Sequence, residues 1–437
     1  MLEELLRAAV ESGLEPDLDR RGREFKISFK AGTEAEKARA VLYPLLAALE
    51  DNFLVTVGGA PACLMPDAFE HFTWPLGARG PFRRLAACRR CALSGRCPGV
   101  NGAWSRNAGF LKPVLSAPAE LVIELNKKCN LACRACFGRS GEELPLKTAE
   151  KALREAAALG IKSARFTGGE PLLYPGLEKL LRLARKLGFY TLLNTNAVLF
   201  TPAAARRLAG LIDNALVSLP GVDEAGYAAG SGKAGLFARK TAAIKRLRTA
   251  GVKVVRAGTA VSKPLIKGFD RWRRAVNRLG FDIWELYRPM MTAEALAAAP
   301  EFKISKRDFT KLAQMTAAKR TGGPRTVLAN PVPFCALPAA ARPFALGARF
   351  DDGWTRLVLA ASGDYKPSYP SKISLGKNLA GAWAHPFLKI TRSAAWLPAE
   401  CRRCRLLSTC LGGSRFQAEA AGAPFGPDPW MPAVKVS

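Results

Sequence analysis

The sequence predicts an α/β protein, a partial (β/α)6 TIM-like barrel with small cysteine-rich α+β extensions at both ends. Three observations point there. Apolar runs alternate with helical stretches through the middle of the 437-residue chain. Glycines and an N-cap sit where those helices must stop and start. The eleven cysteines fall into a central group and a group toward each end.

Taken in order, strands are expected at 121–125, 162–167, 189–194, 215–219, 252–261 and 282–287. Helical stretches lie between them, near 148–159, 175–187, 202–212, 235–249 and 268–279. Thr201-Pro202 reads as an N-cap followed by proline at the first helical position. Gly160, Gly188, Gly251 and Gly280 each follow a helix, where a left-handed residue is wanted. Strands alternating with helices imply parallel pairing and right-handed crossovers. Active sites of such sheets lie at the C-terminal strand ends.

The ends are less regular. A helix over 2–12, a strand over 24–30, a helix over 34–49 and a strand over 53–58 suggest a small α+β unit. A hairpin is expected over 354–368 around Ser362-Gly363-Asp364, and the alanine-rich stretch Ala293–Pro300 reads as a helix or its linker. The length suits two or three domains, with boundaries at 1–110, 111–292 and 293–437.

Composition narrows the function. No stretch of 18 or more apolar residues appears, so no membrane span is expected. The N-terminus lacks the basic start and apolar core of a signal peptide. An odd number of cysteines without such a leader argues for reduced, metal-binding thiols in a cytoplasmic protein rather than disulfides. His71 and His385 are the only histidines, which disfavours histidine-based metal sites and triads; each is read as a surface or packing residue. The net charge of +30 predicts attraction to RNA, acidic peptides or membrane surfaces. The basic residues are scattered, so a merely solvated basic surface is the competing reading.

The most informative stretch is Leu125-Asn-Lys-Lys-Cys129-Asn-Leu-Ala-Cys133-Arg-Ala-Cys136-Phe137, directly after an apolar run. Its spacing is C-x3-C-x2-C. Tetrahedral zinc and a closed [4Fe–4S] cluster each want four ligands. Three thiolates on a cluster leave one iron open to a further ligand. A second segment, Phe166-Thr167-Gly168-Gly169-Glu170-Pro171, ends another predicted strand. Glycine there has no side chain to block a close approach.

These two segments together resemble the hallmarks of the radical S-adenosylmethionine (SAM) enzymes. The resemblance implies that Cys129, Cys133 and Cys136 hold a [4Fe–4S] cluster whose fourth iron takes the amino and carboxylate groups of SAM. It also implies reductive cleavage of SAM to a 5′-deoxyadenosyl radical, fed by a donor such as flavodoxin or ferredoxin. Gly168, Gly169, Glu170 and Pro171 would then lie beside the methionine end of SAM. Asn196, Ser218 and Arg288 follow or end later strands on the same rim, where similar positions in the family touch SAM; for each, a structural role competes. The family often places an aromatic residue just before the third cysteine. This chain has Ala135 there and Phe137 just after, so Phe137 is the candidate adenine contact.

Two flanking arrays share the spacing C-x2-C-x5-C: Cys88, Cys91 and Cys97, and Cys401, Cys404 and Cys410. Their flanks differ, and on sequence they are not read as a repeat. Cys63 is the nearby fourth cysteine of the first array. The second resembles the SPASM/twitch extension of radical SAM enzymes, which carries auxiliary iron–sulfur clusters. Ser368 and Ser414 stand where that pattern has cysteines. Cys335 is read as a leftover of a lost cluster or as the fourth ligand of the remaining one, for which a non-cysteine group and the substrate are the alternatives. One or two auxiliary iron–sulfur clusters are expected, with zinc as the competing occupant. The resemblance implies a peptide or protein substrate. RNA is the alternative, on charge, and a non-catalytic zinc-stapled binding protein is the third reading.

Overall fold

The computed structural model describes residues 2–19, 23–30, 32–73, 81–106, 108–136, 140–318, 322–347 and 353–431. The chain divides into two compact units. One comprises Met1–Ser116, Pro331–Phe350 and Pro386–Ser437; the other comprises Ala117–Asn330 and Asp351–His385. Both termini thus belong to the same unit.

In the first unit, β1 (Leu14–Asp19) pairs antiparallel with β2 (Glu24–Phe29), which pairs parallel with β3 (Leu54–Gly58). The helix Ala35–Leu49 supplies the crossover and buries Ala38, Leu42, Leu45, Leu46 and Leu49. β1 was not expected from sequence. It carries Pro16 and Asp17 and is mostly exposed, as an edge strand can be. His71 packs inside this unit, its Nδ1 3.1 Å from the Val55 carbonyl.

The second unit is built on one sheet. Its strands are β4 (Glu120–Glu124), β5 (Ser163–Thr167), β6 (Tyr190–Thr195), β7 (Asn214–Ser218), β8 (Val254–Ala260), β9 (Ile283–Tyr287), β10 (Arg325–Ala329), β11 (Arg356–Leu359) and β12 (Tyr365–Lys366). Their spatial order is β10-β9-β8-β7-β6-β5-β4-β11-β12. All pairs are parallel except β11–β12. The six expected strands stand side by side in chain order. Among the described residues the sheet is wider than expected: β10 extends one edge, and the hairpin around Ser362-Gly363-Asp364 extends the other.

The helices form where their apolar residues recur at helical spacing. Helix Leu177–Lys186 buries Leu177, Leu180, Leu181 and Ala184, and helix Leu146–Ala158 buries Ala149, Ala152, Leu153 and Ala156. Thr201 caps helix Pro202–Leu208, its hydroxyl accepting from the Ala204 N–H. Gly188 ends helix Leu177–Lys186 at φ +79°, as its position predicts.

The two faces of this sheet differ. Leu121, Ile123, Ala164, Phe166, Leu193, Ala215, Val217, Ala257, Trp284 and Leu286 are buried at one alternation phase. The other phase is charged. Arg165 donates two hydrogen bonds to Glu120, at 2.9 and 2.8 Å, and one to Asn194 at 3.0 Å. Farther along, Arg256 donates to Asn214 at 2.8 Å and pairs with Glu285, which also accepts from Tyr287. Parallel sheets are usually apolar on both faces. A polar interior here marks a face reserved for something other than packing.

Burial alone would push the Glu120 carboxyl up, but Arg165, with help from Arg356 and Arg256, holds it below its ordinary value near 4.5. The stability it contributes is complete above that ordinary value and is lost as pH falls through the lower folded value. Breaking one partner of a buried pair costs about 3–5 kcal/mol. Glu120→Gln is expected to lower the urea midpoint accordingly at pH 7. Its deficit against wild type should shrink as pH is lowered below 4.5. An equal deficit at both ends of that range would contradict this account.

Candidate functional site

The cysteine loop leaves β4 and is gripped by two neighbouring segments. On one side the β4–β5 ladder continues past the strand ends. Leu125 N–H donates to the Thr167 carbonyl at 2.8 Å, Gly169 N–H to Asn126 at 2.7 Å, and Glu170 N–H to Lys128 at 2.8 Å. A Cβ on Gly168 would stand 2.4 Å from the Asn126 oxygen, and one on Gly169 would stand 2.1 Å from the Lys128 oxygen. Only glycine permits that approach. On the other side, Ala132 N–H donates to Ser231 at 2.9 Å and Arg134 N–H to Gly230 at 3.2 Å. These acceptors end the short helix Glu224–Ser231, and a Cβ on the following Gly232 would meet the Ala132 oxygen at 2.7 Å.

The glycine pair therefore has a role that the sequence reading did not assign to it, which is to let two backbones touch. Glu170 is likewise occupied. It is fully buried, and its carboxylate accepts from Thr195 Oγ1 at 2.7 Å, Asn196 N–H at 2.7 Å and Leu172 N–H at 3.1 Å. Burial raises its pKa, against the pull of these donors and of Lys240. It ties the end of β5 to the end of β6. Pro171 opens the 3-10 turn Pro171–Leu173.

Asn196 continues the clamp. Its Nδ2 donates to Asn130 Oδ1 at 2.8 Å and lies 3.8 Å from Cys129 Sγ, while its Oδ1 accepts from Val198 N–H at 3.0 Å. Its side chain is spent on the loop that carries the thiols. Ser218 is exposed at the last position of β7. Arg288, just past β9, is 2% exposed. Phe137 lies outside the described residues.

One residue the sequence reading missed is Lys240. It is fully buried, its Nζ donates to the Asn196 carbonyl at 2.8 Å, and it lies 5.4 Å from the centre of the Tyr227 ring. Burial lowers its pKa to about 7, opposed by Glu170 and Cys133. The signal was available in the pattern. Lys240, Ala243, Ile244 and Leu247 form one buried stripe of helix Phe237–Thr249, and lysine at such a position needs a reason.

Cys129, Cys133 and Cys136 sit on this clamped loop, and Cys136 is exposed. Burial and then the neighbouring thiols Cys129 and Cys136 push Cys133 up to about 11. Cys129 is raised as well, by burial first, although it accepts from Leu131 N–H at 3.5 Å. Clustered thiols that resist ionisation together are stabilised as thiolates by iron, whose positive charge reverses that repulsion. Among the described residues no group of three or more His, Cys, Asp or Glu side chains is placed to hold a single metal ion. A cubane sets each thiolate on a different iron and holds the sulfurs farther apart than one ion does. Three thiols on one loop are the donor set that would hold a [4Fe–4S] cluster with one iron left open to a further ligand.

The remaining eight cysteines form two groups of four in the first unit. Cys63, Cys88, Cys91 and Cys97 line one cavity. Burial, then Cys97, Cys91 and Cys88 in turn, push Cys63 up to about 12. In the second group, burial and then Cys335 and Cys404 push Cys401 up to about 11. Cys410, raised by burial to about 12, also feels Cys335 and Cys404. Cys335 therefore stands with the array rather than apart from it. Ser414, where the family pattern has a cysteine, caps helix Arg415–Ala420, its hydroxyl accepting from Gln417 N–H at 3.2 Å.

Gly169→Ala is expected to displace Lys128 and with it Cys129, so that reconstituted protein loses the iron of one cluster, about four atoms per chain. Iron content equal to wild type would contradict the clamp.

The chain is similar to known proteins in sequence and in fold. The family described as the radical SAM superfamily matches residues 123–270, from within β4 into the helix that begins at Phe269. The PqqA peptide cyclase of Streptomyces rochei is 30% identical over 358 residues, 72% of this chain and 90% of that protein. The PqqA peptide cyclase of Gluconobacter oxydans is 27% identical over 324 residues, 70% of this chain and 87% of that protein. In fold, the chain is similar to Streptococcus suis SuiB bound to precursor peptide SuiA, with a TM-score of 0.57 and 21% identity over 71% of this chain and 75% of that one. It is also similar to anSMEcpe with bound AdoMet and Cp18Cys peptide, with a TM-score of 0.55 and 17% identity over 71% and 93%. With its three-thiol loop clamped at the rim of a parallel sheet and its likeness extending through nine-tenths of the Streptomyces relative, the chain belongs to the radical SAM superfamily of enzymes.

Proposed function

We propose that this radical SAM enzyme modifies a side chain of a peptide or protein. The observation that carries the reading is the extent of the alignment with the Streptomyces PqqA peptide cyclase. It covers 90% of that protein, well beyond the segment 123–270 that the superfamily shares. The peptide-bound fold neighbours SuiB and anSMEcpe support the same substrate class.

A [4Fe–4S] cluster held by Cys129, Cys133 and Cys136, with SAM, would supply one-electron chemistry for abstracting hydrogen from an unactivated carbon. The chain's own residues do the rest. Cys129, Cys133 and Cys136 anchor the cluster, while the Gly168–Gly169 contact and the Glu170–Asn196–Asn130 chain fix the loop. Arg288 and Ser218 end their strands on the sheet's rim and are the candidate contacts for SAM or substrate. The electron comes from a donor of the flavodoxin or ferredoxin class. Residues 111–292 carry this chemistry, and 293–437 carry an auxiliary iron–sulfur centre on Cys401, Cys404 and Cys410, with Cys335 as the fourth ligand.

The net charge of +30 favours a substrate with an acidic segment. It also keeps RNA as a second reading. Among the described residues no helix is long and apolar enough to cross a membrane.

The test is turnover with reconstituted enzyme, SAM and reductant, offered small peptides encoded beside its gene or bulk tRNA. A peptide should raise 5′-deoxyadenosine release above the substrate-free level and change in mass itself. Its binding should weaken as salt rises. Stimulation by tRNA, with a salt-steep affinity and no response to any peptide, would replace this reading with the RNA one.

A further inference from the structure

The two groups of four cysteines are built alike. In each, a lone cysteine lies on a 3-10 turn within P-x-C-x-x-P: Pro61-Ala-Cys63-Leu-Met-Pro66 and Pro333-Phe-Cys335-Ala-Leu-Pro338. In each, the other three lie in C-R-R-C-x-L-x3-C-x-G, running from Cys88 to Gly99 and from Cys401 to Gly412.

The backbones follow the sequences bond for bond. Leu64 N–H donates to Pro61 at 3.0 Å, as Ala336 does to Pro333 at 2.9 Å. Met65 donates to Ala62 and Leu337 to Phe334, both at 3.1 Å. Cys91 donates to Cys88 at 3.2 Å and Cys404 to Cys401 at 3.1 Å. Ser94 donates to Cys91 and Leu407 to Cys404, at 3.1 and 3.0 Å. Cys97 donates to Leu93 and Cys410 to Leu406, at 2.9 and 2.8 Å. Leu93 and Leu406 are buried, at 2% and 6% exposure, and Gly99 and Gly412 both turn the chain at positive φ, +112° and +82°. Each site also aims a backbone N–H at its last sulfur: Gly99 at Cys97 Sγ, 3.4 Å, and Phe334 at Cys410 Sγ, 3.3 Å. The residues flanking the two arrays differ, so the arrays do not read as a repeat on sequence. The likeness is carried by the two lone cysteines, which lie far from their arrays in the chain.

We propose that Cys63, Cys88, Cys91 and Cys97 form a second auxiliary cluster site, a structural copy of the site made by Cys335, Cys401, Cys404 and Cys410, and that each holds a closed [4Fe–4S] cluster. Two sites with the same turns and the same cysteine spacing, each with a backbone N–H aimed at its last sulfur from a different position, present the same four-thiol donor set, so they take the same occupant. Zinc would draw four sulfurs to within about 2.3 Å of one ion. The first four thiols instead line the wall of a cavity, among Leu85, Leu93 and Val114, which suits a cubane. N–H groups aimed at the sulfurs are among the features that tune such clusters. Four thiolates leave no iron open, so neither copy competes with the three-thiolate site for SAM.

The experiment uses the full chain with Cys129, Cys133 and Cys136 all changed to Ala, reconstituted anaerobically and assayed for iron, sulfide and zinc. About eight iron and eight sulfide per chain, without zinc, are expected. Adding Cys88→Ala with Cys91→Ala, or Cys401→Ala with Cys404→Ala, should each halve the iron. About four iron per chain in the parent variant, zinc in place of iron, or a loss confined to one pair would overturn the proposal. Should a double variant fail to fold, the metal count of the parent variant still decides. Reductive SAM cleavage by the wild-type chain is a separate readout, so a failure here leaves the peptide reading intact.

Discussion

Two backbones meeting without side chains between them hold this site together. The loop bearing Cys129, Cys133 and Cys136 rests against Gly168 and Gly169 on one side and against Gly230–Gly232 on the other. At Gly169 a single methyl group would overlap the Lys128 carbonyl. The contact carries the hydrogen bonds of the β4–β5 pair beyond the strand ends, so a segment that would otherwise be a free loop inherits the rigidity of a sheet. A site that must present one iron atom at a fixed place needs that kind of support. Glu170, Asn196 and Lys240 then connect the loop to the ends of β5 and β6 and to helix Phe237–Thr249 without exposing a carboxylate or an ammonium group.

The sheet beneath the loop departs from the usual economy of parallel sheets. One face is apolar and receives the helices. The other carries Glu120, Arg165, Asn194, Asn214, Arg256 and Glu285, paired with one another across neighbouring strands. Such a layer gains little net stability over an apolar one, because desolvation offsets much of the attraction. Its value lies in leaving a polar, defined interior below the rim where the cluster loop sits. The fold and the site are therefore separable. Alternate residues of the same strands build the apolar core with one set of side chains and the polar layer with the other.

Much of this was legible in the sequence. The six central strands alternate with amphipathic helices whose stops are glycines, and both chemistry-bearing segments end strands. What was not legible depended on residues far apart in the chain. β1 is polar and holds Pro16, so it does not read as a strand. β10 and the β11–β12 hairpin are short runs whose place at the sheet edges depends on tertiary pairing. The glycine pair was read as room for the methionine end of SAM; that it also lets the loop backbone approach depends on a contact between segments far apart in the chain. Lys240 looked like one more basic residue in a basic chain until its helix phase showed it on the buried stripe. Cys335 lies 66 residues before Cys401, and the sequence leaves open whether it joins that array; the fold brings them together.

The central claim is that the clamped three-thiol loop holds an incompletely ligated iron at which SAM is cleaved. It is tested most directly by giving SAM and dithionite to anaerobically reconstituted enzyme and quantifying 5′-deoxyadenosine and methionine, with Cys133→Ala in parallel. Wild type should release both products, and Cys133→Ala should release neither while keeping the iron of its other centres. Intact SAM after incubation with fully iron-loaded wild type, or equal cleavage by Cys133→Ala, would contradict the account.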